Sequence, residues 1–288
     1  MKKIIISNNH KKIEKALSRF GGYATVEAEY GNLVIKGNMG TLAHHAGAYK
    51  GGLCPCLYEN DNFNHFHDDD VEVIGVSHFD LDTLGGVLAL QRIKPDAPEF
   101  WRVAAHVDID GAHRLNDANP SKKTIDRLNA FWAWSESNRL FAPRDGSVAD
   151  VTEFFDKAYK ILTLILSGEP ELIQAGREWF EKKESLEKES FRELIGGCIL
   201  RESDMFVNTL YSHNSCLYSA VVALNAKTKA VTLSFADGGK ESNACEIMQE
   251  IFGEKAGGHA GIAGSPRDGE YTIDDARKVA LCIKQKKG

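Results

Sequence analysis

The stretch "VIGVSHFDLDTLGGVLAL", Val73–Leu90, sets one histidine and two aspartates between an apolar run and a run of glycine and aliphatic residues. Val71–Ser77 has the near-continuous hydrophobicity of a strand buried on both faces, and Leu84–Ile93 reads as the helix that follows it. A core strand has no use for Asp80 and Asp82. They sit instead at the strand's carboxyl end, where ligands bind in open parallel sheets. On an extended segment alternate residues point the same way, so His78, Asp80 and Asp82 are expected to converge. One imidazole and two carboxylates, with no thiolate among them, suit Mn²⁺ or Mg²⁺. Gly85 and Gly86 leave room for the helix to approach closely.

Downstream, "AAHVDIDGAHR" repeats the design. Trp101–Val107 reads as a further strand, neighbouring the first, and ends in His106, Asp108, Asp110 and His113. A carboxylate at Asp108 could bridge two metals about 3.5–4 Å apart, whereas Asp-x-Asp-Gly around Asp110 also fits a plain turn. Upstream, Lys3–Ser7 reads as a strand and His10–Phe20 as a helix with Ile13, Leu17 and Phe20 on one face. Tyr23–Glu29 and Asn32–Lys36 read as a hairpin turning at Tyr30-Gly31. The glycine-rich stretch 37–56 reads as a loop; its adjacent His44 and His45 could fold onto a metal. Cys54-Pro-Cys56 has the wrong spacing for a zinc knuckle and reads as structural. His65 and His67, beside Asp68–Asp70, read as a solvated loop.

Residues 122–194 look mostly helical, and charged periodic segments such as "REWFEKKESLEKESFREL" look like a connector between domains. After it come a hairpin within 219–239, a helix over Lys240–Phe252 and a final helix starting at Thr272, capped with Asp275. The glycine loop "GGHAGIAG", Gly257–Gly264, can offer backbone N–H groups to an oxyanion. His259 adds a donor there and Arg267 a phosphate fork. These alternations predict an α/β fold: an N-terminal parallel-type sheet flanked by helices (1–150), a helical connector (151–194) and a smaller α+β C-terminal domain (195–288).

A length of 288 residues supports this division, and the net charge of −6 lacks the basic footprint that long nucleic acid requires. It permits a small phosphorylated substrate held by a metal. No run approaches the roughly 18 apolar residues of a membrane span, and the short apolar run near the N-terminus is too brief for a signal-peptide core. Six scattered cysteines without a secretory leader predict reduced thiols and a cytoplasmic protein with no membrane partner.

"HFDLDTLGG" after a hydrophobic strand resembles the first motif of the DHH phosphoesterase superfamily, His-x-Asp-x-Asp-Gly. "GGHAGIAG" resembles the Gly-Gly-Gly-His-x-x-Ala-x-Gly signature of the DHH-associated C-terminal domain. The resemblance runs from about Val71 to the C-terminus. It implies that His78 and Asp80 bind one metal, Asp82 the other, and Asp108 bridges them, with Asp80, Asp82 and Asp108 catalytic. It also implies that His259 and its glycine neighbours, Gly257, Gly258 and Gly264, hold the substrate phosphate, to which the fork of Arg267 is added from its own chemistry. Family members hydrolyse phosphoester or phosphoanhydride bonds with two Mn²⁺ ions, on substrates that include nucleotides, cyclic dinucleotides and short single-stranded oligonucleotides. Thr83 stands where that family has Gly. No Asp-His-His follows Asp108, and the one His-His pair, His44-His45, is preceded by Ala43. Either His44 or His45 takes over from this different point in the chain, or His106 or His113 substitutes. The alternative function is a phosphate-ligand binding or regulatory protein with a degenerate metal site; a homodimer is compatible with either.

Overall fold

The computed structural model describes residues 1–288 apart from Phe66, Asp68, Asp69, Arg267 and Gly288. The chain divides into two compact units, Met1–Ile109 with Asp117–Trp179, and Asp110–Asn116 with Phe180–Gly288. It is a mixed α/β protein: a parallel-containing sheet flanked by helices, then a second, sheet-rich C-terminal region. No helix among the described residues is long and apolar enough to cross a membrane.

In the first unit the elements run β1 (Lys3–Ile6), α1 (His10–Leu17), β2 (Tyr23–Val26), β3 (Glu29–Tyr30), β4 (Leu33–Val34), β5 (Gly40–Leu42), β6 (Val73–Val76), α2 (Leu81–Leu90) and α3 (Pro98–Asp110). They continue with α4 (Lys122–Ser137), β7 (Ala149–Asp150), α5 (Thr152–Ser167) and α6 (Pro170–Ser190), which crosses into the second unit. The sheet order is β5-β2-β6-β1-β7, parallel except for β7. The runs "KIII" and "VIGV" lie side by side, Ile4 opposite Ile74 and Ile6 opposite Val76, all buried. Ile5 and Val73 pack with Ile13 and Leu17 of α1. Alternation turns Ile4, Ile6, Ile74 and Val76 to the opposite face, so both faces need cover and the strands read as unbroken apolar runs.

Three expectations need correction. Trp101–Val107 is not a strand but part of α3. Pro98 suits a first helical turn, and Phe100, Val103, Ala104 and Val107 recur at helical spacing; the first three are buried. The expected hairpin exists only as the short pairing of Glu29–Tyr30 with Leu33–Val34, while Tyr23–Val26 belongs to the main sheet. The stretch 37–56 is not all loop, because Gly40–Leu42 pairs in parallel with β2.

Gly85 and Gly86 act as expected. A Cβ on Gly85 would stand 2.5 Å from the Cys56 Cβ and 2.9 Å from Trp101 Cζ3; one on Gly86 would meet Pro55 Cβ at 2.7 Å. Helix α2 therefore lies directly on the turn Pro55–Leu57. Gly85→Ala is expected to cost about 1–3 kcal/mol through overpacking, measured by urea unfolding; parental stability would contradict this contact.

The second unit holds β8 (Phe191–Ile195), β9 (Cys198–Ser203), β10 (Ser212–His213), β11 (Cys216–Leu217), β12 (Ala220–Asn225), β13 (Val231–Phe235), α7 (Ala244–Phe252), β14 (Gly257–Gly258), β15 (Ile262–Gly264) and α8 (Ile273–Lys287). The 122–194 segment thus ends in a strand, with Phe191 already in β8. The main sheet runs β14-β15-β13-β12-β9-β8, with β9 and β12 parallel and the other pairs antiparallel. Leu200, Val222 and Leu233 share a core with Ile247, Met248, Val279 and Ile283 from the two helices, while Ile199 and Val221 pack with Val207 and Tyr211 on the other side. Thr272 caps α8 reciprocally with Asp275, as the sequence predicts.

Candidate metal centre

Three parallel strands deliver the site at their carboxyl ends. Val26 of β2 pairs with Leu42 of β5, and Glu27 N donates to Leu42 O at 2.8 Å, so Glu27 and the Ala43-His44-His45 segment emerge together. β6, next to β2, delivers Ser77, His78 and Asp80. Phe79 turns the other way, edge-on to Phe154 and Phe155, with ring centroids 4.8 and 5.2 Å apart. That aromatic anchor leaves His78 and Asp80 on the site side.

Asp82 does not lie on an extended segment, as alternation required; it is in the first turn of α2. Asp80 is the N-cap, its Oδ1 accepting from Thr83 N at 3.0 Å. Asp108 comes from the last turn of α3 rather than from a neighbouring strand. A helix terminus and a helix end thus converge on the sheet edge.

The histidine pair completes the cluster. His44 Nε2 is 2.9 Å from Asp108 Oδ2 and 3.5 Å from Asp82 Oδ2, and His45 Nε2 is 3.2 Å from Asp108 Oδ2. His78 Nε2 is 2.8 Å from Asp80 Oδ2, and its Nδ1 lies 2.9 Å from Ser77 Oγ, which also donates to the Glu27 carbonyl. This outer contact fixes the ring's orientation.

Three groups bring ligand atoms within 4.8 Å of one another: His44, Cys54, Asp82 and Asp108; Glu27, His44 and His45; His78, Asp80 and Asp82. Asp82 is common to the first and third. His106 and His113 belong to none of these groups among the described residues; the His113 ring instead lies 4.7 Å from that of Tyr211. Sequence reasoning missed Glu27 and discounted Cys54. Glu27 carries φ of +48°, a left-handed backbone that a non-glycine residue adopts only under constraint, and its side chain is fully buried.

The electrostatics are those of an acidic cavity. Burial pushes the Glu27 carboxyl up to about 7, Glu29 adds to the rise, and His44, His45 and His78 oppose it. Burial, reinforced by Asp80 and Asp108, raises Asp82 strongly. Asp80 is held below the ordinary carboxylate range, because contacts with Asp82, His78 and the Thr83 amide outweigh its burial. Burial would raise Asp108, but His44 and His45 outweigh it and hold it low. All three histidines are raised: at His44 and His78 their carboxylate partners overcome burial, and at His45 the Asp108 contact leads. Both Glu27 carboxylate oxygens and Asp82 Oδ1 are buried without a hydrogen-bond partner. Orphaned buried acids beside imidazoles fit cations, with Glu27 in one ligand group and Asp82 in the other two.

In the second unit, Gly257, Gly258 and Gly264 are strand residues of the β14–β15 pairing, and the exposed His259 follows them. The His259 amide is already spent on Ile262 O at 2.7 Å. Gly258 has φ of +151°, and a Cβ there would meet Ile262 O at 2.3 Å, so glycine is required. These residues line a surface hollow of about 710 Å³ with Lys255 and Ser265. Arg267 lies outside the described residues.

No protein-family model matches the chain, and no curated protein matches it. Among solved structures, an uncharacterized protein from Helicobacter pylori G27 is similar over 75% of this chain and 74% of that one, at 14% identity and a TM-score of 0.24.

Proposed function

We propose that the protein is a metal-dependent phosphohydrolase of the DHH type, acting on a nucleotide, short oligonucleotide or other small phosphorylated substrate with two Mn²⁺ (or Mg²⁺) ions. The observation that carries this reading is the gathering of Glu27, His44, His45, His78, Asp80, Asp82 and Asp108 at one sheet edge, with buried carboxylate oxygens left unpartnered. When bound, the cations would polarise a phosphoryl group and lower the pKa of a water molecule. His78, Asp80 and Asp82 would hold one position. His44 and Asp108, with Asp82 shared, would hold the other. Glu27, with His44 and His45, would add a carboxylate beside this second position. By the same resemblance, the exposed His259 side chain with its neighbours Gly257, Gly258 and Gly264 would bind phosphate.

The test is Mn²⁺-supplemented hydrolysis by the full chain against nucleotides, cyclic dinucleotides, short oligomers and phosphomonoesters. Turnover of at least one class, lost with Asp108→Asn, is expected. Stoichiometric Mn²⁺ binding without turnover of any would instead favour a phosphate-ligand binding protein.

A further inference from the structure

The hard-cation reading treats the cluster as oxygen and imidazole only, yet one of its groups contains sulfur. Cys54 is 1% exposed, and its Sγ lies 3.9 Å from Asp82 Oδ2. Its thiol stands with His44, Asp82 and Asp108 so that every ligand atom is within 4.8 Å of the others. Ligand atoms on a tetrahedral zinc, with bonds near 2.0–2.1 Å to N or O and 2.3 Å to S, stand about 3.3–3.6 Å apart. The 3.5 Å from His44 to Asp82 falls within that spacing, and the 2.9 Å from His44 to Asp108 and 3.9 Å from Cys54 to Asp82 lie a few tenths of an ångström to either side of it.

The thiol is also held in place. The turn that follows it, Pro55–Leu57, lies under Gly85 and Gly86, and the buried Lys94 ammonium donates to Cys56 O at 2.8 Å and to Tyr58 O at 2.6 Å. The second independent sign of a ligand is the Asp82 carboxylate, 2% exposed, whose Oδ1 has no hydrogen-bond partner.

We infer that the position bounded by His44, Cys54, Asp82 and Asp108 is a thiolate-containing site for a borderline transition metal of the zinc class, chemically distinct from the thiol-free position at His78, Asp80 and Asp82. This rests on the reading of the cluster as a metal centre. Binding exchanges the Cys54 S–H for an S–metal bond, the proton leaving to solvent, with no change of oxidation state. A thiolate selects zinc-class metals over Mn²⁺ and Mg²⁺, which favour oxygen. The two positions then prefer different ions.

The experiment is a Co²⁺ titration of the chelator-treated full chain, read by absorption and by equilibrium dialysis. The parent is expected to bind Co²⁺ with a thiolate-to-cobalt charge-transfer band. Cys54→Ser loses the band and lowers the Zn²⁺-over-Mn²⁺ preference at least about tenfold, while Cys56→Ser keeps both. Because Cys54→Ser could disturb the packed turn, X-ray absorption on the zinc-loaded parent supplies a variant-free reading: a sulfur scatterer at about 2.3 Å is expected. Co²⁺ binding without the band, a band that survives Cys54→Ser, or only nitrogen and oxygen scatterers would overturn the thiolate assignment alone. No Co²⁺, Zn²⁺ or Mn²⁺ binding by the parent would overturn the metal-centre reading with it.

Discussion

Asp82→Asn is expected to weaken Mn²⁺ binding at least about 100-fold while leaving the metal-free protein as stable as the parent. Asp82 is 2% exposed, and burial with Asp80 and Asp108 raises its proton affinity strongly. Without a cation, burial beside two other acids favours its protonated carboxyl, of which asparagine is a near-isosteric replacement. With a cation the same group must ionise and coordinate. Loss of an outer partner of a metal ligand already costs 10- to 100-fold in affinity, and Asp82 is shared by two of the ligand groups. A factor of about 100 is about 2.7 kcal/mol of ligand-linked stability. Thermal unfolding with chelator and with Mn²⁺ separates the two effects. Equal Mn²⁺ stabilisation of the parent and Asp82→Asn would remove Asp82 from the site.

Glu27→Gln is expected to stabilise the metal-free protein at alkaline pH and to leave it unchanged in acid. The fully buried Glu27 carboxyl is pushed up to about 7 from an ordinary 4.5, burial being the main cause. Between those values the folded state retains a proton that the unfolded chain has lost, so stability falls as pH rises. The contribution is fully present below about pH 4.5 and gone above about pH 7. At about 1.4 kcal/mol for each pH unit between them, the parent should fall about 3 kcal/mol below Glu27→Gln by pH 8. Denaturant unfolding in chelator across this range reads the gap directly. A gap independent of pH would show that Glu27 ionises as readily in the fold as in the unfolded chain. Saturating Mn²⁺ should shrink the gap, because a cation close to His45 favours the Glu27 carboxylate.

The part of the site legible in the sequence is the part held by local pattern. The apolar run Val73–Val76 followed by His78 and Asp80 specifies a strand end, and Gly85 with Gly86 specifies a close helix approach. Both are local properties, and both stand in the structure. The sequence pattern puts Asp108 in the right neighbourhood through the wrong element. Buried aromatic and β-branched residues at 100–107 suit a strand as well as a buried helix, and Pro98 with Glu99 was the start signal that separates them. Glu27 could not be found locally. Its role depends on β2 pairing with β5 and β6, contacts between distant positions, and its buried charge looks like an ordinary hairpin residue when read alone. The same holds for Cys54. Spacing rules test a cysteine against sequence neighbours, and Cys54 does meet Cys56 Sγ at 3.4 Å, but its ligand group also takes in the distant His44, Asp82 and Asp108.

The most direct measurement is the Mn²⁺ content of the full chain, by elemental analysis after dialysis against buffered Mn²⁺, beside Asp82→Asn and Asp108→Asn. About two ions per parent chain are expected once free Mn²⁺ saturates both positions, with fewer in each variant at the same free Mn²⁺. A parent without bound metal, or variants that retain the parent's count, would contradict the metal centre.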